Sequence, residues 1–155
     1  MFAELKEIPD FQTLICGDGP ERESLQSIAG EGIFFLGRVG RFELAQISEV
    51  AIAILSPGPV GLVVTDSFAM GIPIITSSNQ NHGPEFSYLK DRHNSLVIDD
   101  SPELYVNTVM RLTSDPNLSK SLKLGLSESV IDYNIDCMVE NYMRGVGCVL
   151  GIDHE

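Results

Sequence analysis

The stretch SPGPVGLVVTDSFAMGIPIITS, residues 56–77, connects two short apolar segments through a turn rich in proline and glycine. These segments, residues 51–55 and 73–76, are too short for helices and are typical of buried strands. A helix is predicted to begin near Gly61 and to run between them. A strand, a helix and a second strand in this order indicate a crossover unit, from which parallel sheets are built.

Three further apolar segments bounded by glycine or proline repeat this pattern: residues 11–16, 33–36 and 95–98. Helical patterns lie between them. Buried strands that alternate with helices are typical of a parallel sheet covered on both faces, so the predicted class is α/β. The chain has 155 residues and is 43% hydrophobic, which fits a single domain, residues 1–155, with a core of ordinary size.

Proline marks the predicted start of three helices. Pro20 follows an Asp-Gly pair, Pro102 follows Ser101, and Pro116 follows Asp115. Each pattern places a capping residue before a proline, which is favoured at the first helical position because its missing N–H is not needed there.

The last part of the chain, residues 115–150, repeats apolar residues at every fourth position, which is a helical period. These residues are Leu118, Leu122, Leu126 and Val130, followed after a polar interruption by Met138, Tyr142 and Val146. We predict a helical C-terminal tail that covers the sheet.

The charge of the chain excludes two classes of partner. It carries 22 acidic and 10 basic side chains, a net charge of −12. This excess repels a nucleic-acid backbone or an anionic bilayer, so neither is an expected partner. The sequence contains no signal-peptide pattern and no apolar stretch of about 20 residues, so we expect neither export nor a transmembrane segment.

The three cysteines, Cys16, Cys137 and Cys148, are odd in number and have apolar neighbours. This favours buried free thiols over a disulfide framework. The expected location is therefore the cytoplasm.

The turn at residues 56–61 follows a strand, and ligands bind at the carboxyl ends of strands in open α/β sheets. A helix start offers unpaired N–H groups and the positive end of a dipole, and Gly61 permits close approach of a phosphate or pyrophosphate. Asp66 shares a helix face with Leu62, and its carboxylate is suited to accept hydrogen bonds from two adjacent hydroxyls, such as a ribose diol. The alternative is that Asp66, with Thr65 and Ser67, forms a solvated stripe.

Other motifs give weaker indications. The stretch GDGPER, residues 17–22, lacks the third glycine of a dinucleotide-binding loop and favours a plain turn into a helix. His82 and Glu85 in NHGPE lie after a strand and are candidates to face a sugar, although Glu85 also fits a dipole interaction behind Pro84. The histidines His93 and His154 have no partners at metal-ligand spacing, so no metal is expected.

Four stretches together resemble the C-terminal domain of the family 4 glycosyltransferases of the GT-B fold, in a bacterial polysaccharide-synthesis subgroup: LICGDGPERESLQSIA, IFFLGRV, AILSPGPVGLVVTDSFAMGIPIITS and NSLVIDD. The resemblance extends over residues 11–142 and implies a Rossmann-like sheet. It implies a nucleotide-sugar donor as substrate, no cofactor, a diphosphate over Gly61, Leu62 and Val63, and a ribose on Asp66. The residues it places at the donor site are Gly58, Pro59, Val60, Gly61, Leu62, Val63, Asp66, Arg38, Val39 and Glu85.

The sequence departs from the family in two ways. The family's paired glutamates are replaced by Gly58 and Asp66, and neither the opening strand of the domain nor its Arg-Lys pair is found before Phe11. By resemblance the missing strand lies between segments 11–16 and 51–55. We therefore expect a donor-binding part of a glycosyltransferase that is inactive alone, with the strand supplied by a companion polypeptide or by self-association. The alternative is a non-catalytic module that binds a nucleotide or a partner.

Overall fold

The structure is a computed structural model that describes residues 11–78 and 81–151. Within these residues, five parallel strands form two sheets. Strand β1 (Thr13–Cys16) pairs with β2 (Ile33–Gly37), with Leu14 opposite Phe34. The second sheet has the order β3 (Ile54–Ser56), β4 (Ile74–Ser77), β5 (Ser95–Ile98).

Helices connect the strands and follow the last one. They are α1 (Arg22–Ile28), α2 (Arg41–Ser48), α3 (Val63–Met70), a 3-10 helix (Pro84–Tyr88), α4 (Pro102–Ser114), α5 (Pro116–Asp132) and α6 (Ile135–Leu150). The predicted α/β class, its parallel strands and its helical C-terminal region are confirmed.

Strand β4 is the centre of the core, and all of its residues are buried. On one face Ile74 packs with Val64 and Phe68 of α3. On the other face Ile75 packs with Tyr105 of α4. Both faces are apolar because both are covered by helices, as a parallel strand in the middle of a sheet requires.

Strands β1 and β2 were also predicted to be buried, and this prediction is wrong. Their residues alternate between half-buried and exposed positions. Phe34 and Leu36 are both more than 40% exposed, because one face of this small sheet is not covered by the described part of the chain.

The two sheets do not share a strand pair within the described residues, because β1 pairs only with β2 and β3 pairs only with β4. They meet through Phe11, which packs against the same apolar cluster as Ala53 and Leu55. Each of β1 and β3 therefore has one edge without a strand partner among the described residues. The expectation that a further strand lies between segments 11–16 and 51–55 stays a prediction.

The prediction that the apolar rows of the tail cover the sheet is right for most of α5, where only Val130 of the predicted row is exposed, at 40%, and wrong for most of α6. Leu122 and Leu126 of α5 are fully buried against the two clusters on either side of β4. In α6, Met138 and Tyr142 are 60% and 71% exposed. The periodicity of α6 produces an apolar stripe, but only Val146 of this stripe is half-buried, and Met138 and Tyr142 are not covered by the described residues.

Helices α4 and α5 begin at Pro102 and Pro116, as predicted. The prediction for Pro20 is wrong by two residues: α1 begins at Arg22, and Pro20 lies in the preceding turn. The reason is that the N–H of Arg22 closes this turn on the carbonyl of Gly19, at 3.1 Å, before helical bonding starts.

The cysteines are free thiols, as predicted, but Cys16 and Cys148 are exposed and Cys137 is only half-buried. Apolar neighbours in sequence did not imply burial, because side chains alternate along β1 and Cys16 points to its open side. The remaining burial nevertheless raises the pKa of the Cys16 thiol above its ordinary value.

Candidate functional site

The turn between β3 and α3 lies at the carboxyl end of the sheet, as predicted. Helix α3 begins at Val63, two residues later than the expected start near Gly61. Leu62 occupies the capping position, and no side chain accepts a hydrogen bond from the first turn. The first N–H groups of a helix have no intrahelical partners. The N–H of Val64 bonds to the carbonyl of Gly61 at 2.9 Å, so within the described residues the N–H groups of Leu62 and Val63 are the open donors at this positive dipole end.

The turn is anchored in the core by Val60, which is 2% exposed and packs with Val64 and Phe68. Gly58 and Gly61 are half-buried, whereas Pro59 and Leu62 are exposed. The apolar anchor holds the backbone of the turn in place while its outer residues face solvent.

Asp66 and Leu62 lie on the same exposed side of α3, and the N–H of Asp66 bonds to the carbonyl of Leu62 at 3.1 Å. The side chain of Asp66 forms no hydrogen bond or ion pair within residues 11–78 and 81–151. The alternative of a solvated stripe is wrong for Ser67, which is fully buried and donates to the carbonyl of Val64. Asp66 is therefore an isolated carboxylate beside the open helix end.

A second loop contacts the turn. The N–H of Gly83 donates to the carbonyl of Val60 at 2.8 Å, and the N–H of Val60 donates to Nδ1 of His82 at 3.1 Å. The other ring nitrogen of His82 lies 2.7 Å from the carbonyl oxygen of Ser77, at the end of β4. The loop after β4 is thus joined to the turn after β3.

Glu85 belongs to this same edge of the sheet. It lies in the first turn of the 3-10 helix and is half-buried. Its carboxylate folds back toward Gly83, 2.7 Å from the point where a Cβ of that glycine would be. Gly83 thus lies beside Val60, Gly61 and Glu85, so the structure brings these three predicted site residues together.

Arg38 and Val39 are separated from this group in connectivity, because they follow β2 in the other sheet. Arg38 is exposed and Val39 is half-buried. In the part of the chain that the structure describes, Arg38 forms no hydrogen bond or ion pair with the turn. Their place at the donor site stays a prediction.

One further group near the strand ends, Tyr105, was not identified from the sequence. The hydroxyl of Tyr105 donates to the carbonyl of Ser56 at 3.4 Å, which links α4 to the last residue of β3. Burial and the nearby Asp100 carboxylate raise the pKa of Tyr105 above its ordinary value. The contact joins residues 49 positions apart, and no local sequence pattern indicates such a pairing.

The described part of the chain contains no group of three or more His, Cys, Asp or Glu side chains that could hold a metal ion. None of the helices in residues 11–78 and 81–151 is long and apolar enough to cross a membrane.

Comparison with known proteins identifies the family. The profile of the family described as Glycosyl transferases group 1 matches residues 1–115. The lipopolysaccharide core biosynthesis glycosyltransferase LpsE of Rhizobium meliloti (strain 1021) is 24% identical in an alignment of 149 positions that covers 88% of this chain and 42% of LpsE. The chain thus spans less than half the length of this relative.

Solved structures share the fold. The pneumococcal O-GlcNAc transferase GtfA, in complex with UDP and GlcNAc, has a TM-score of 0.76 at 20% identity, over 96% of this chain and 31% of GtfA. The C-terminal domain of LpcC, a glycosyl transferase group 1 family protein from Francisella tularensis, has a TM-score of 0.63 at 18% identity, over 84% of this chain and 73% of that domain. Because the family profile covers most of the chain and the fold agrees, the chain belongs to the group 1 glycosyl transferases and has the fold of their C-terminal GT-B domain.

Proposed function

We propose that this chain is the donor-binding part of a glycosyltransferase, which transfers a sugar from a nucleotide-diphosphate donor to a glycan or similar acceptor. The observation that carries the proposal is the uncapped start of α3, which lies at the carboxyl end of β3 with Asp66 on its exposed side. LpsE acts in lipopolysaccharide core biosynthesis and the GtfA structure contains UDP, which supports a nucleotide-sugar donor and bacterial polysaccharide synthesis.

The diphosphate is proposed to lie against the N–H groups at Gly61, Leu62 and Val63. Negative charge builds on the diphosphate as its bond to the sugar breaks. Fixed N–H dipoles stabilise such charge without having to reorganise, which is often the largest contribution to catalysis. Gly61 suits this position because no side chain keeps the phosphate away from the backbone.

Asp66 is proposed to hold the ribose. An ionised carboxylate only accepts hydrogen bonds, so it matches two adjacent hydroxyl groups. Its side chain is exposed and has no partner within the described residues, which leaves it available to a ligand. In this role Asp66 positions the nucleoside and takes no part in bond making.

The remaining residues of the proposed site have less specific roles. Gly58 and Pro59 shape the turn, Arg38 and Val39 border the base, and Glu85 faces the donor sugar. The half-buried carboxylate of Glu85 beside Gly83 supports the last role, because Gly83 contacts the turn directly.

The segment that forms this site contains no positive charge. Residues 42–89 include neither lysine nor arginine. A diphosphate is a strong anion, and backbone dipoles alone neutralise only part of its charge. We therefore propose that cationic groups from outside residues 42–89 complete the site.

A further strand is proposed to complete the sheet. Among the described residues, β1 and β3 each have one edge without a strand partner, and Phe11 and Leu55 beside them pack on one apolar cluster. A strand from a companion polypeptide, or from a second copy, would pair with both edges and satisfy their backbone groups. A cooperatively folding, monodisperse monomer at micromolar concentration would contradict this part of the proposal.

The alternative function is a non-catalytic module that binds a nucleotide or a protein partner. The observation that favours it is Gly58, which stands where the family has a glutamate. For either function we propose a cytoplasmic location, supported by the three free thiols.

Amide chemical shifts of the ¹⁵N-labelled chain test the proposed site. UDP and inorganic pyrophosphate are both expected to shift the amide signals of Leu62 and Val63, whereas uridine, which lacks phosphate, leaves them in place. A UDP response confined to residues outside α3 and its preceding turn contradicts the proposal.

A further inference from the structure

His82 is held by hydrogen bonds at both ring nitrogens. Its Nδ1 lies 3.1 Å from the backbone nitrogen of Val60, and its Nε2 lies 2.7 Å from the carbonyl oxygen of Ser77. The ring also stacks on Phe86 with 4.0 Å between centroids and 1° between planes. Three contacts with three different elements thus fix its orientation.

These partners determine which ring nitrogen carries the proton. A backbone N–H only donates, so Nδ1 has to accept from Val60. A carbonyl only accepts, so Nε2 has to carry the proton that it donates to Ser77. The contacts are therefore compatible with one form of the side chain, the neutral ring with its proton on Nε2.

The position of Val60 gives these bonds their importance. Val60 is the buried residue directly before Gly61, and both of its backbone polar groups bond to the loop after β4. A Cβ on Gly83 would lie 3.1 Å from the carbonyl oxygen of Val60 and 3.6 Å from the Cα of Gly61. The loop and the turn are thus in close backbone contact, and His82 holds the N–H of Val60 in one direction.

We propose that His82 is a positioning residue for nucleotide binding, which fixes the turn before α3 so that the open N–H groups of Leu62 and Val63 converge on the diphosphate. The identity of the ligand in this proposal rests on the proposed function, whereas the hydrogen bonds of His82 are independent of it. His82 acts through Val60 and has no direct contact with the nucleotide.

Three substitutions separate the contributions of His82. His82→Phe keeps a ring to stack on Phe86 but removes both hydrogen bonds. His82→Asn places an amide oxygen where Nδ1 was, so it can still accept from Val60. The control is His93→Phe, because the ring of His93 is partly exposed, lies 3.1 Å from Glu128 and forms no hydrogen bond with the turn among the described residues.

The experiment combines UDP titration with long-range ¹H–¹⁵N spectra of the histidine rings. We expect the wild-type ring of His82 to be neutral with its proton on Nε2 at pH 7.5. The loss of a hydrogen bond that orders the turn is expected to weaken UDP binding by about 5- to 10-fold in His82→Phe. His82→Asn is expected to recover most of this loss, and His93→Phe to bind as the wild type.

The possible failures are distinguishable. A proton on Nδ1, a charged ring at pH 7.5, or unchanged UDP affinity in His82→Phe overturns the proposal. If His82→Phe does not fold, His82→Asn is compared with His82→Gln, which has no acceptor at the position of Nδ1. Equal weakening of UDP binding in these two variants overturns the proposal. If the wild type binds no nucleotide but has the expected ring form, the proposed function fails and His82 positions the turn for structure alone.

Discussion

The side-chain amide of Asn94 donates a hydrogen bond of 2.8 Å to the hydroxyl of Ser129, which joins the loop before β5 to the last turn of α5. Both side chains are buried. The amide of Asn94 also donates to the carbonyl of Tyr88, and its oxygen accepts from the N–H of Lys90. This network orders the chain between the 3-10 helix and β5 and attaches it to α5.

Ser129→Ala is expected to lower the free energy of unfolding by about 1–3 kcal/mol, because it leaves a buried donor of Asn94 without its partner. Urea denaturation followed by circular dichroism measures the effect. Ser127→Ala is the matched control, since Ser127 is exposed on the same helix and bonds only to the carbonyl of Leu124. Equal effects of the two substitutions would contradict the role of Asn94.

Gly125→Ala is expected to destabilise the fold by about 1–3 kcal/mol or more, because the new methyl group would overlap the carbonyl group of His93. Gly145→Ala in α6 is the control, since a Cβ there meets nothing within 4 Å. It is expected to add about 0.5–1 kcal/mol, the gain from replacing glycine in an exposed helix. Chemical denaturation measures the change in unfolding free energy of both variants. Changes of the same sign would contradict the account.

Asp115→Ala is expected to cost about 1 kcal/mol through the loss of the N-terminal cap of α5. The carboxylate of Asp115 accepts from the N–H groups of Asn117 and Leu118 at 3.0 and 3.1 Å. Ser101 precedes α4 in an equivalent position, but its side chain makes no capping bond. Ser101→Ala is therefore expected to change thermal stability less than Asp115→Ala, and a larger effect at Ser101 would be inconsistent with this assignment.

Stability at alkaline pH is expected to depend on Tyr105. Burial and Asp100 raise the pKa of this side chain above its ordinary value of 10.0, so the folded state keeps the phenolic proton to higher pH than the unfolded state does. The resulting stabilisation is complete below pH 10 and is lost as the pH rises through the folded-state pKa. Unfolding free energies between pH 8 and 11 are expected to fall less steeply in Tyr105→Phe than in the wild type. The same slope in both proteins would contradict the prediction, and Tyr142→Phe at an exposed site is the control.

The sequence predicted the elements that depend on local chemistry. Pro102 and Pro116 mark helix starts because a proline without an N–H costs nothing there, and this holds whatever packs around the helix. The apolar strand around Ile74 was recognisable because both of its faces are buried. The position of the turn before α3 followed from the glycines and prolines that end β3.

The predictions that failed depended on tertiary contacts. Leu122 and Met138 both belong to rows of apolar residues at every fourth position, yet Leu122 is buried and Met138 is exposed. Periodicity defines a helix face but does not determine what covers that face. Cys16 has apolar neighbours but lies on the open side of β1. The link from His82 to Val60 spans 22 residues and has no sequence signal, since each residue alone fits many loops.

The exposed position of Asp66 gives the central claim its most direct test. The test is ligand-observed NMR of the purified chain with UDP, GDP, ADP and their sugar conjugates. It compares the wild type with Asp66→Ala and with the control Glu103→Ala, which removes an exposed acid from the first turn of α4. The account predicts that one base is preferred and that Asp66→Ala weakens binding by about 1–3 kcal/mol, while Glu103→Ala does not. Unchanged affinity in a folded Asp66→Ala variant, or no binding by the folded wild type at millimolar nucleotide, would contradict the claim that residues 58–66 hold the donor.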